Sequence, residues 1–86
     1  MYQGEKIGVG IVTYNRKDGL LKLLNSLPRQ CIDELVIIND GQHFPEYSGL
    51  DCHYILNEEN LGVGCSKNRA LSYLREKGVD HYFLIE

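Results

Sequence analysis

The stretch Ile7-Gly8-Val9-Gly10-Ile11-Val12-Thr13, closed by Tyr14-Asn15-Arg16, decides the fold of this chain. Apart from two glycines, its first seven residues are all β-branched. A near-continuous apolar run of this length is what a strand buried on both faces requires. The polar triplet then ends it. Such a strand needs cover on both sides of its sheet, and the following residues supply it. Leu20, Leu21, Leu23, Leu24 and Leu27 recur at the three-and-four spacing of one helix face, with Asn15 or Asp18 as the expected cap and Pro28 as the stop. Residues 35–38 predict a second apolar strand, ended by the turn residues Asn39-Asp40-Gly41. Residues 42–51, with Pro45 and Gly49, predict a loop, and residues 53–56 a third short strand. After the polar connection 57–60, Gly62-Val63-Gly64 opens a second helix. Its face carries Ala70, Leu71 and Leu74, and Gly78 is its left-handed end. Residues 81–85, HYFLI, form a fourth strand.

This alternation predicts an α/β fold: a Rossmann-like, parallel four-stranded sheet with helices on its faces. All 86 residues belong to one domain. Nothing predicted covers the sheet beyond the fourth strand, so the chain is expected to be the amino-terminal portion of a larger α/β domain, truncated at its carboxyl end. An exposed edge beside that strand offers a place for self-association.

Composition narrows the function. Hydrophobic residues make up 43% and charged residues 24% of the chain, which excludes a disordered or low-complexity protein. Nine Lys and Arg against twelve Asp and Glu give a net charge of −3, which disfavours nucleic-acid binding through a broad basic face. No apolar run reaches the roughly 20 residues of a membrane span. Residues 1–6 carry neither the basic region nor the apolar block of a leader. The three cysteines, Cys31, Cys52 and Cys65, are an odd number with no CxxC, so free thiols and a cytoplasmic location are expected. Cys52 and His53 are neighbours on a strand and point to opposite faces, so they do not share a metal. His43, His53 and His81 each stand alone.

In an open parallel sheet, ligands bind beyond the carboxyl ends of the strands. That rule selects Thr13, Tyr14, Asn15 and Arg16 after the first strand and Asn39, Asp40 and Gly41 after the second. After the third it selects residues 57–60 with Gly62 and Gly64, and after the fourth, Glu86. A polar rim above apolar strands suits a nucleotide. Tyr14 has the shape to stack on a base and Asp40 to accept from a base N–H or a ribose hydroxyl. The amino end of the second helix, with Lys67 and Arg69 nearby, suits a phosphate. Two other phosphate motifs are excluded. Gly8-Val9-Gly10 lies inside the strand and meets Thr13 where the dinucleotide fingerprint needs glycine, and there is no Gly-Lys-Ser/Thr loop.

Three segments in order, Ile11-Val12-Thr13-Tyr14-Asn15-Arg16, Val36-Ile37-Ile38-Asn39-Asp40-Gly41 and Asn60-Leu61-Gly62-Val63-Gly64 with Lys67-Asn68-Arg69, resemble the opening of family 2 glycosyltransferases of the GT-A fold. The resemblance spans essentially the whole chain. It implies a site for a nucleotide-diphospho-sugar donor, with Thr13, Tyr14, Asn15 and Asp40 at the nucleoside and Asn60, Gly62 and Lys67 at the ribose and diphosphate. It implies an acceptor whose hydroxyl displaces the nucleoside diphosphate, and a Mg²⁺ or Mn²⁺ ion held after the fourth strand, where Glu86 would be its first carboxylate. Lys67 stands where the family usually has Arg, and Asn39 where it often has a second Asp. The resemblance thus implies the nucleotide-binding half of a glycosyltransferase, inactive alone. A sugar nucleotidyltransferase would carry a glycine-rich, basic loop after the first strand, which Tyr14-Asn15-Arg16 does not supply. A non-catalytic α/β binding module is the alternative from another class.

Overall fold

The computed structural model describes residues 3–86. The leader expectation at Met1 and Tyr2 lies outside the described residues. The elements follow one another as β1 (Ile7–Thr13), α1 (Lys17–Ser26), β2 (Glu34–Asn39), β3 (His53–Leu56), α2 (Val63–Glu76) and β4 (His81–Ile85), with single 3-10 turns at Arg29–Cys31 and Pro45–Gly49. The strands form one sheet in the order β3-β2-β1-β4, and every neighbouring pair is parallel. The predicted α/β, Rossmann-like architecture is therefore the observed one.

Strand alternation divides the core into two layers. Val9, Ile11, Leu35 and Ile37 pack on one side with Leu20, Leu23, Leu24 and Leu27 and with Tyr47 of the second 3-10 turn. Val12, Val36 and Ile38 pack on the other with Ala70, Leu74 and Val79. The glycines inside β1 belong to this second layer. A Cβ on Gly8 would lie 2.8 Å from Leu74 Cδ2, and one on Gly10 would lie 2.9 Å from Ala70 Cβ. They form the groove in which α2 rests, which explains why this strand has small residues and no phosphate loop.

Two local expectations are corrected. Neither Asn15 nor Asp18 caps α1: Arg16 occupies the cap position and no side chain bonds the helix end. Asn15 instead adopts a left-handed backbone, φ 53°, and turns its amide toward the loop after β2. Residues 42–51 are also more than a loop, because the turn at Pro45–Gly49 buries Tyr47 to 2% exposure against the first core layer. The apolar face of α1 is covered in part by this turn, and Lys17 pins it through Glu46 at 2.8 Å.

Candidate functional site

The strand order turns back at β1, since β2 and β3 lie on one side of it and β4 on the other. With the two helices on opposite faces, the loops above β1 and β4 diverge and leave a crevice at the carboxyl ends of the strands. A cavity of about 420 Å³ occupies this position, lined by Thr13, Tyr14, Arg16, Val63 and Glu86 among others. Four elements therefore contribute to it: the end of β1, the start of α1, the first turn of α2 and the residue after β4. Thr13 is buried, whereas Tyr14 is 52% exposed and presents its ring at the mouth. Lys67, one turn into α2, reaches the same rim, with its ammonium 3.6 Å from the Glu86 carboxylate.

Beside the cavity lies a buried polar cluster. Asn39 and Asp40 are adjacent, and the pleat sends them to opposite layers. Asn39 lies on the α1 side. Its amide donates to the Gln42 carbonyl at 2.9 Å and to the Tyr54 hydroxyl at 2.8 Å, and its oxygen accepts from Gly41 N–H at 2.9 Å. His43 Nδ1 stands 3.0 Å from the same Tyr54 oxygen. Asp40 lies on the α2 side. Its carboxylate accepts from Leu61 N–H at 2.7 Å, Gly62 N–H at 2.9 Å and the Asn57 amide at 2.8 Å. Asn57 also donates to the Ser66 hydroxyl at 3.1 Å and accepts from the Arg69 guanidinium. Burial alone would raise the Asp40 pKa. The donors from Leu61, Asn57, Gly62 and Ser66 outweigh it and hold the carboxyl below its ordinary 3.8.

Backbone bonds carry the sheet's spacing into these loops: Asp40 N–H donates to Thr13 O and Asn57 N–H to Asn39 O, each at 2.9 Å. Asn15 Oδ1 accepts from Gln42 N–H at 2.7 Å. Gly41 is what lets the two loops meet, because a Cβ there would fall 2.5 Å from Asn15 Oδ1.

The predicted residues thus divide into three groups. Thr13, Tyr14 and Glu86 line the cavity, and Lys67 joins them through Glu86. Asp40, Asn60 and Gly62 form the adjoining cluster, in which Gly62 N–H is shared between Asp40 and Asn60 Oδ1, the latter at 3.0 Å. Asn15 is engaged with Gln42. Arg16, which lines the cavity, and Asn57, which joins the cluster, stand among the strand-end residues expected at the rim, whereas Val63 and Ser66 carry no such expectation. A second hollow of about 600 Å³, lined by Arg29, Asp51, Cys52, His53 and Tyr73 among others, lies at the opposite, amino end of β2 and β3 and contains none of the predicted residues.

The family model described as Glycosyl transferase family 2 matches residues 8–85. The chain belongs to glycosyl transferase family 2. No curated protein matches it. Within this family 2 chain, the matched residues take in both helices, β2, β3, β4 and all of β1 but Ile7, and stop one residue short of Glu86 at the cavity rim.

Family 2 enzymes commonly use a divalent cation. Hard cations such as Mg²⁺ and Mn²⁺ take several oxygen ligands. Glu86 offers one carboxylate, and among the described residues no group of three or more His, Cys, Asp or Glu assembles. The residues at the rim therefore do not by themselves fit a metal site. All three cysteines are free. Among the described residues no helix is long and apolar enough to cross a membrane.

Proposed function

We propose that this chain carries the donor-binding half of a glycosyltransferase, which transfers a sugar from a nucleotide-diphospho-sugar to an acceptor hydroxyl. The observation that carries this is the cavity at the strand-order reversal, bounded by Tyr14, Thr13 and the first turn of α2 in a family 2 chain. The exposed Tyr14 ring is free to stack on a base. Asp40 and Asn15 hold the loops that frame the nucleoside. Asn60, Gly62 and Lys67 lie toward the diphosphate. Among the described residues no side chain caps α2, and a helix amino end, with its positive dipole end, suits an anion. Glu86 keeps Lys67 at the rim until a phosphate replaces it as counter-ion.

On its own this chain is expected to bind nucleotide weakly and to turn nothing over. Tyr82, Phe83 and Leu84 are exposed on β4, and apolar residues on an edge strand ask for cover. Three free thiols suit a reducing, cytoplasmic setting. The alternative, a non-catalytic α/β module, is separated from this reading by one titration. Nucleoside diphosphates added to the isotope-labelled chain are expected to shift the amide resonances of Tyr14, Asp40 and Gly62. If all four common bases leave these resonances unmoved at millimolar concentration, the donor-site reading falls.

A further inference from the structure

The second 3-10 turn carries a polar group that the fold does not use. Tyr47 is 2% exposed, and its hydroxyl oxygen is buried with no hydrogen-bond partner among the described residues. An unpaired phenol inside a core lowers stability, so such a group calls for a reason. Its ring is not free to seek a partner. The rings of Phe44, Tyr54 and His43 surround it at 5.6, 5.7 and 6.1 Å between centroids, and Ile11, Ile37 and Leu20 complete the layer. Lys17 holds the turn itself through Glu46 at 2.8 Å. A phenol oxygen lies on the axis of its ring, so a clamped ring fixes the oxygen as well.

The neighbour of that oxygen follows from the sheet. Side chains alternate along β1. Val9 and Ile11 belong to the α1 layer and Val12 to the other, so Thr13 returns to the α1 layer, next above Ile11. Across the sheet it faces Asn39, whose amide reaches Tyr54 on the same side. Thr13 therefore joins the layer that Tyr47 closes. Burial pushes the Tyr47 hydroxyl upward in pKa, and the Thr13 hydroxyl works against it. The two hydroxyls are thus neighbours without being aligned as donor and acceptor. Thr13 also lines the cavity at the carboxyl ends of the strands, as do Ile11 and Leu20 from the same layer. A single threonine stands between an unpaired buried hydroxyl and the site. Thr13 is the side chain that adjusts, since rotation about χ1 exchanges its hydroxyl and methyl among three staggered wells. In the well that turns Oγ1 toward Tyr47, the phenol donates to it and the Thr13 proton is left to point into the cavity.

We propose that Tyr47 is a positioning residue of the donor site: when a nucleotide binds, the Thr13 hydroxyl accepts from Tyr47 O–H and donates its own proton to an acceptor atom of the nucleoside. This rests on the donor-site reading above and deepens it, by giving the nucleoside pocket a buried residue that acts on the ligand through Thr13 and touches none of it. The unpaired phenol gains its partner on binding.

The test uses the 86-residue chain, the variants Tyr47→Phe, Thr13→Val and their double, and uridine, cytidine, adenosine and guanosine diphosphates as probes in an NMR titration. Tyr47→Phe removes one oxygen that bonds nothing in the structure, so its melting temperature is expected to be no lower than that of the native chain. Its affinity for the diphosphates that the native chain binds is expected to fall about three- to tenfold, the range of one neutral hydrogen bond. Thr13→Val is expected to lose at least as much, and the double variant no more than Thr13→Val, because Tyr47 acts only through that hydroxyl. Three-bond couplings add a readout that packing alone would not move. At saturation they are expected to place Thr13 χ1 in one well in the native chain and to stay averaged in Tyr47→Phe. An unchanged affinity in Tyr47→Phe, a further loss in the double variant, or the same single well in both chains would overturn the proposal while the donor-site reading stands. A Tyr47→Phe chain that melts earlier or does not fold would overturn it too, since the hydroxyl would then be a structural group. If the native chain binds none of the four probes, the donor-site reading itself fails and takes this role for Tyr47 with it.

Discussion

A single carboxylate ties the strand end to the helix start. Asp40 is held below its ordinary 3.8, so its bonds stabilise the fold at any pH above that value and are lost as pH falls through the lower folded value. Asp40→Asn keeps the shape but removes the charge. It is expected to cost about 1–3 kcal/mol at neutral pH, and the gap from the native chain should close as thermal melts are taken below pH 3.8. A gap that stays constant down to pH 2 would mean that the charge contributes nothing. Gly10 makes a steric counterpart. Alanine there drives a Cβ to 2.9 Å from Ala70 Cβ, which is fixed to the helix backbone and cannot swing away. A loss of about 1–3 kcal/mol by denaturant unfolding is expected. Gly49→Ala, with nothing within 4 Å of the new methyl, serves as the control and should stay within about 0.5 kcal/mol.

The elements were legible where apolar spacing sets them. The β-branched run of residues 7–13 and the apolar run 81–85 give β1 and β4 to the residue, and the leucine spacing gives α1. Gly78, expected as a left-handed helix end, has φ 70°. What stayed hidden depends on partners distant along the chain. Asn15 has the composition of a cap, yet it bonds Gln42, 27 residues away, because Gly41 leaves room for it. Tyr47 carries no periodic signal, since a 3-10 turn is too short to show one. Asn57 and Ser66 look like ordinary polar residues of a connection and a helix, and only the approach of β3 to α2 brings them to Asp40. The entry into α2 gives a prediction of its own. Gly62→Ala forces an L-residue into φ 88° and ψ 164°, at a cost of about 1–3 kcal/mol. The strain should appear as faster amide hydrogen exchange confined to the first turn of α2. Uniform acceleration over the whole chain would instead mean that the helix start has no separate stability.

At the scale of the molecule, the sheet's two edges differ. β3 is four residues long, whereas β4 presents Tyr82, Phe83 and Leu84 at 39%, 54% and 37% exposure. Exposed edge strands can template pairing with another chain, and if this one does, sedimentation is expected to show a concentration-dependent dimer that Phe83→Lys abolishes. Sedimentation as a single monomeric species at every concentration would rule that edge out as a contact. The carboxyl-end rim was legible from topology alone, because strand order places the crevice before any side chain is considered. Which side chains would turn inward from that rim was not. Asn39 and Asp40 stand next to each other and serve different layers, one fastening the β2–β3 loop beneath Tyr54, the other the start of α2. This dipeptide works as a rivet driven through the sheet. A deletion of one residue in β2 would not merely shorten it but would swap rivet head and tail, releasing both loops at once.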